Sequence, residues 1–276
     1  GGMGTVYRGR HWNESFAEQG GDVAIKLLKR EYSEDPSFHS RFMREAGLGR
    51  RLNHRNIAKC LGVVRHQGQL GLVMEYIEGV ELKSSLGRRH TVEQVVSYLS
   101  PVAAALDYLH GEGIVHRDIK PDNILIGPYG EVLLLDWGLA KVWHSDDAAA
   151  SKQTFLPDLD VGVSMTSAGK LQGSVVYMSP EQVDREADID FRSDIYSLGA
   201  VMYEALTGQT PFSGTLVRKI LEDVRHKVPD VPSHFVSLPV PKVLSDLTMS
   251  CLSKDPNERP SSAEEVVRIL QHNWTS

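Results

Sequence analysis

The chain has 276 residues, 41% hydrophobic and 24% charged, with 24 Gly and 13 Pro, a near-average balance that excludes collagenous, low-complexity and wholly disordered chains. Thirty Lys+Arg against 36 Asp+Glu leave a net charge of −6, which argues against nucleic acid or an anionic membrane as partner, and no apolar run reaches the length that spans a bilayer. The two cysteines, Cys60 and Cys251, are distant and lack CxxC spacing, the usage of reduced, buried thiols in a cytoplasmic protein whose core holds together by packing alone.

Up to about residue 75 the pattern predicts short β segments at 5–8, 23–28, 63–64 and 70–74, with one helix at 36–52 that opens on Pro36 and carries Phe38, Phe42 and Leu48. Beyond Gly79 helices dominate. Thr91-Val-Glu-Gln94 is a capping box, followed by Val92, Val95, Val96, Leu99, Ala103 and Leu106 at helical spacing until Gly111. Apolar runs at 124–126 and 132–135 flank Gly127-Pro-Tyr-Gly130 as in a hairpin. A further helix fits 194–206, closed by Thr207-Gly208, and a last one follows the capping box Ser261-Ser-Ala-Glu264.

The most informative stretch is His116-Arg-Asp-Ile-Lys-Pro-Asp-Asn123. Asp118 offers a carboxylate able to orient and deprotonate an attacking hydroxyl, Lys120 brings a cation to a transferring phosphoryl group, and Asn123 can turn an amide oxygen to a metal ion. The pattern H-R-D-x-K-P-x-N resembles the catalytic loop of eukaryotic-type protein kinases, and the other motifs fall in that family's order. Asp136-Trp-Gly138 stands where the family has Asp-Phe-Gly, which makes Asp136, with Asn123, the expected metal ligand, while Trp137 departs from the usual Phe. Lys26 of Val23-Ala-Ile-Lys26 resembles the lysine that holds the α- and β-phosphates, and Glu45 stands where its partner carboxylate belongs. Gly49 replaces the bulky apolar residue usual one turn later.

Gly1, Gly4 and Val6 align with the second and third glycines and the valine of the glycine-rich loop, so the resemblance implies backbone N–H groups of Gly1, Gly2, Met3, Gly4 and Thr5 over the phosphates. Val6, Ala24 and Leu125 then enclose the adenine, Met74 is the gatekeeper, and the backbones of Glu75 and Ile77 meet the adenine edge. Ser179-Pro-Glu181 resembles Ala-Pro-Glu, pairing Glu181 with Arg259, and Asp194 is expected to bond the catalytic-loop backbone. Ser174 is expected to bridge Lys120 and Asp118.

The implied fold is α+β and protein-kinase-like, with a small β-rich N-lobe carrying one helix (1–75), a hinge (75–79) and a larger, mainly helical C-lobe (80–276). On this reading the domain starts inside its glycine loop, lacking the first strand. Lys120, Pro121 and Ser174 resemble a serine/threonine kinase, of the bacterial Hanks type. The implied reaction moves the γ-phosphoryl of Mg-ATP, with Mn²⁺ as a substitute for Mg²⁺, to Ser or Thr of a protein. A pseudokinase scaffold and a small-molecule kinase are the rival readings, disfavoured by the complete set Lys26, Glu45, Asp118, Asn123 and Asp136 and by the Ser179-Pro-Glu181 platform. The 46 residues from Asp136 to Glu181 are long for this element. Autophosphorylation is expected at Ser164, Thr166 or Ser167, with a second copy of the chain as partner and with Arg117, Lys141 and Arg41 as phosphate holders.

Overall fold

A computed structural model describes residues 4–10, 18, 20–34, 36–87, 90–135, 141–142, 173–186, 189–235 and 240–272. In chain order the elements are β1 (Gly4–Arg10), β2 (Asp22–Leu28), α1 (Arg30–Glu34), α2 (Pro36–Gly49), β3 (Cys60–His66), β4 (Gln69–Glu75), β5 (Val80–Glu81), α3 (Val92–Gly111), β6 (Ile114–Val115), β7 (Ile124–Ile126), β8 (Val132–Leu134), β9 (Lys141–Val142), α4 (Pro180–Val183), α5 (Arg192–Thr207), α6 (Val217–His226), α7 (Lys242–Cys251) and α8 (Ala263–Leu270). They form two compact units, Gly1–Val80 with Leu125–Gly138 and Glu81–Ile124 with Leu139–Ser276. The 125–138 hairpin thus groups by its contacts with the β-rich part, although the sequence reading ran the helical part unbroken from residue 80.

In the first unit an antiparallel sheet has the order β1-β2-β4-β3. Two helices stand where one was expected, because Pro36 has no N–H with which to continue the ladder of α1 and starts α2 afresh. α2 ends at Gly49, short of residue 52. β3 is longer than the apolar pair 63–64 suggested, since a bulge between Cys60 and Gly62 lets it pair with β4 along its length. β8 is tied to the sheet side by the Ala58 N–H, which donates to the Leu134 carbonyl at 3.1 Å, and by the Asn56 amide, which donates to the Val132 carbonyl at 2.8 Å.

The second unit is built on α5. Every residue from Ser193 to Leu206 is buried, the mark of a helix enclosed on all sides. Gly208 closes it at φ 76°, a left-handed position that glycine takes without penalty. α3 begins at the expected capping box, with the Thr91 hydroxyl accepting from the Gln94 N–H and the Gln94 side chain accepting from the Thr91 N–H. The cap of α8 is Ser262 rather than Ser261, because the Ser262 hydroxyl accepts the Glu265 N–H while the Glu265 carboxylate takes the Ser261 N–H and hydroxyl, both at 2.8 Å. Both thiols are free and buried. Burial raises the Cys60 thiol and pushes Cys251 up to about 12, so neither is a nucleophile at neutral pH. Among the described residues no helix is long and apolar enough to cross a membrane.

Candidate active site

In the first unit, strand register gathers the residues expected around a nucleotide. Val6 lies opposite Lys26 and Arg8 opposite Ala24, while Ala24 lies opposite Met74 and Lys26 opposite Leu72. Directly paired residues share a face and residues two apart share it again, so Val6, Ala24, Lys26 and Met74 line one side of the sheet. Thr5, paired with Leu27, takes the other side. β1 approaches β2 so closely at Gly4 that a Cβ there would overlap the Leu27 carbonyl oxygen, so the loop glycine is also a packing requirement. The Glu75 N–H donates to the Lys59 carbonyl at 3.0 Å and its carboxylate accepts the Lys59 N–H at 2.7 Å, so the Glu75 backbone can meet a base only through its carbonyl. Arg8 was not anticipated from sequence. It is ion-paired with Asp22, and its guanidinium sits 4.5 Å over the Tyr76 ring.

Leu125 lies on β7. Glu45 belongs to α2, but its side chain, and with it the expected pair with Lys26, lies outside the described residues. So do Gly1, Gly2, Met3, Asp136, the side chains of Arg41 and Lys141, and the proposed phosphosites.

The second unit carries the loop from His116 to Asn123. The Asp118 carboxylate receives the Lys120 ammonium at 2.8 and 2.7 Å on its two oxygens, and the Asn123 amide nitrogen at 2.9 Å. That nitrogen also donates to the Asp118 carbonyl at 2.7 Å, which leaves the Asn123 amide oxygen, with its lone pairs, as the atom able to ligate a metal ion. Among the described residues Ser174 makes no hydrogen bond to Lys120 or Asp118, so the bridge expected of its hydroxyl is not formed.

Asp194 anchors the loop as expected. Its carboxylate accepts the His116 N–H at 2.8 Å, the Arg117 N–H at 2.7 Å and the His110 ring nitrogen Nε2 at 2.9 Å. Complete burial pushes this acid up, but the hydrogen bond and charge of His110, the charge of His116 and the Arg117 N–H outweigh it and hold Asp194 below its usual range. Arg117 is forced to φ 66°, a left-handed conformation that a long side chain takes only where its surroundings impose it. Three contacts supply that constraint: Asp194 on its N–H, the Gln182 side-chain amide donating to its carbonyl at 2.8 Å, and its own guanidinium donating to the Ile189 carbonyl at 3.2 Å.

Gln182 and His110, which brace the loop and its Asp194 anchor, were not singled out from the sequence. The signal for Gln182 was present in Ser179-Pro-Glu-Gln182, where a serine caps and a Gln answers at the third helical position, whereas nothing in the sequence pointed His110 toward Asp194. Beside this cap, Glu181 pairs with Arg259 at 2.6 and 2.9 Å and accepts the Ser193 hydroxyl at 2.6 Å. Arg259 also donates to the carbonyls of Ser253, Arg192 and Lys254. Burial raises the Glu181 acid, and the Arg259 bond and charge bring it net below its ordinary value.

Comparison with known proteins places this arrangement. The family described as "Protein kinase domain" matches residues 1–275. The serine/threonine-protein kinase PknD of Protochlamydia amoebophila is 32% identical over 99% of this chain and 29% of its own length, and pkn3 of Myxococcus xanthus is 34% identical over 98% of this chain and 48% of its own length. The chain therefore spans less than half the length of these curated relatives. A crystal structure of a variant of the Mycobacterium tuberculosis PknI kinase domain is 26% identical, covers 98% of this chain and 90% of its own, and superposes with a TM-score of 0.69. A carboxylate held between a lysine and an asparagine on a loop hung from a buried aspartate, in a chain matched from end to end, is thus the core of a domain that belongs to the protein kinase family.

Proposed function

We propose that the protein is a serine/threonine kinase that moves the γ-phosphoryl group of ATP to a Ser or Thr hydroxyl of a polypeptide. The observation that carries this is the Asp118 carboxylate, braced by Lys120 on both oxygens and by Asn123 on one. Asp118 accepts the proton of the acceptor hydroxyl as that hydroxyl's oxygen forms its bond to the γ-phosphorus and the bond from this phosphorus to the β–γ bridging oxygen breaks, with ADP as the leaving group, and Lys120 neutralises charge on the transferring group. Family membership implies ATP and a divalent metal. Mg²⁺, with Mn²⁺ as a substitute, is our assignment, because the proposed ligands are the Asn123 amide oxygen and the Asp136 carboxylate, an all-oxygen set suited to a hard cation. The bound ion would neutralise the phosphate oxygens.

On the first unit, Lys26 would hold the α- and β-phosphates with Glu45 as its counter-charge, and the backbone of Gly1, Gly2, Met3, Gly4 and Thr5 would cover them. Val6, Ala24, Met74 and Leu125 would enclose the base, met at its edge by the Glu75 carbonyl and the Ile77 N–H. Autophosphorylation at Ser164, Thr166 or Ser167, between two copies of the chain in the cytoplasm, belongs to the same proposal.

The test is transfer of labelled γ-phosphate to Ser- and Thr-containing peptides by wild type and Asp118→Asn. The expected result is loss of transfer in the variant with nucleotide binding intact, and turnover in Asp118→Asn at the wild-type rate would refute the assignment. Mass spectrometry of active protein should find phosphate within 164–167, and an unmodified segment there would remove the regulatory part.

A further inference from the structure

Away from the residues just assigned, the second unit holds a cavity of about 280 Å³ whose walls include Lys83, Gly173, Val176, Thr210, Phe212 and Ile220. It is at the small end of ligand sites, the scale of a side chain rather than a cofactor. One packing contact puts it beside the catalytic loop: the 3-10 turn Leu82–Ser85, which carries Lys83, lies on the turn Pro121–Asn123. A polypeptide presenting its hydroxyl to Asp118 has flanking side chains within reach of such a cavity.

Behind Lys83 lies a buried carboxylate. The Tyr177 hydroxyl donates to Glu204, and the Lys83 ammonium donates to the Tyr177 oxygen at 3.2 Å and to Glu204 at 3.4 Å. The Glu204 side chain is 6% exposed and that of Lys83 is 41% exposed. Among the described residues Lys83 is the cation within ion-pair distance of Glu204. The chain has therefore placed its own ammonium where an arriving cation would otherwise find an unneutralised acid, and an arriving cation meets like charge instead.

Resting on the kinase reading, we propose that this cavity receives a side chain adjacent to the acceptor hydroxyl, and that Lys83 sets its charge preference. With Glu204 already satisfied, the apolar walls Val176, Phe212 and Ile220 take a neutral or apolar neighbour, and Arg or Lys is turned away. Lys83 is a specificity residue. Without it the same cavity becomes an acidic one.

The test uses peptides with one Ser acceptor and Arg, Ala or Glu at each flanking position in turn, measured for kcat/KM and, with fluorescent labels, for direct binding. In Lys83→Ala the Arg-to-Ala preference should rise about tenfold at one flanking position, the change expected from removing one nearby like charge. Lys83→Arg should keep the wild-type ratio, and Glu204→Gln, which frees the ammonium, should shift preference toward Glu. Lys83→Met provides a second neutral variant should the alanine fold poorly. Ratios unchanged within twofold at every position in the neutral variants overturn the proposal. A charge swap seen in binding while no peptide is phosphorylated supports the proposal and counts against the kinase reading alone. Transfer without a swap counts against Lys83 alone.

Discussion

Arg259 meets the Glu181 carboxylate with both terminal nitrogens, with the arginine side chain fully withdrawn from solvent and the carboxylate 8% exposed. The two belong to segments 78 residues apart in sequence, so the pair staples the α4 cap to the turn before α8. Removing one partner strands the other charge. Glu181→Gln and Arg259→Met should each destabilise by about 3–5 kcal/mol, read as a lower urea midpoint. Arg259→Lys should rescue little, since an ammonium cannot reproduce the two-pronged contact together with its three carbonyl bonds.

Acid should unfold this protein through the same groups. Glu181 and Asp194 both have folded-state pKa values below their ordinary 4.5 and 3.8. Each therefore contributes stability that is fully present above those ordinary values and is lost as pH falls toward the depressed ones. Urea midpoints measured from pH 7 to pH 3 should be flat at first and then drop below about pH 4.5, and Glu181→Gln should shallow the drop. A midpoint independent of pH across that range would exclude both groups from the balance.

Asp194→Asn removes a charge that fixes two successive backbone N–H groups. A hydrogen bond to a charged group contributes about 1.5–3 kcal/mol, so kcat should fall on the order of 10- to 100-fold. Because Asp194 acts through the loop and not on the nucleotide, KM for ATP should move little. A rise in KM with kcat intact would place its effect elsewhere.

Gly4→Ala drives a methyl group into the Leu27 carbonyl. Forcing β1 away from β2 should lower stability by roughly 1–3 kcal/mol, as overpacking does. It should also weaken ATP binding, because Val6 two residues on shares its sheet face with Lys26. Isothermal titration with a non-hydrolysable ATP analogue would read the second effect, and unchanged affinity would separate β1 from nucleotide binding.

The catalytic loop, the Glu181–Arg259 pair and the Asp194 anchor were legible because their chemistry resides in short, ordered motifs. Helices with sharp start signals were equally readable, as at Thr91, where cap and answering Gln lie three residues apart. α6 was not. Its buried positions Ile220, Leu221 and Val224 make one apolar stripe, but the flanking Leu216 and Val228 are 68% and 69% exposed and blur it. Likewise no local pattern joins Lys83 to Glu204, or His110 to Asp194, across more than eighty residues each. Such partnerships arise from tertiary packing, and the charge of one residue says nothing of which distant residue will neutralise it.

Gln182 performs two tasks with the two ends of a single amide. Its oxygen accepts the Ser179 N–H at 3.0 Å to close the helix cap, and its nitrogen holds the Arg117 carbonyl at 2.8 Å. For capping alone, Glu and Gln are interchangeable, but a carboxylate cannot donate. The substitution that looks most conservative to a sequence comparison, Gln182→Glu, would therefore leave a well-formed helix cap while setting a carboxylate against the Arg117 carbonyl, so the catalytic loop loses one of the three contacts that constrain Arg117 with nothing visibly wrong in the fold.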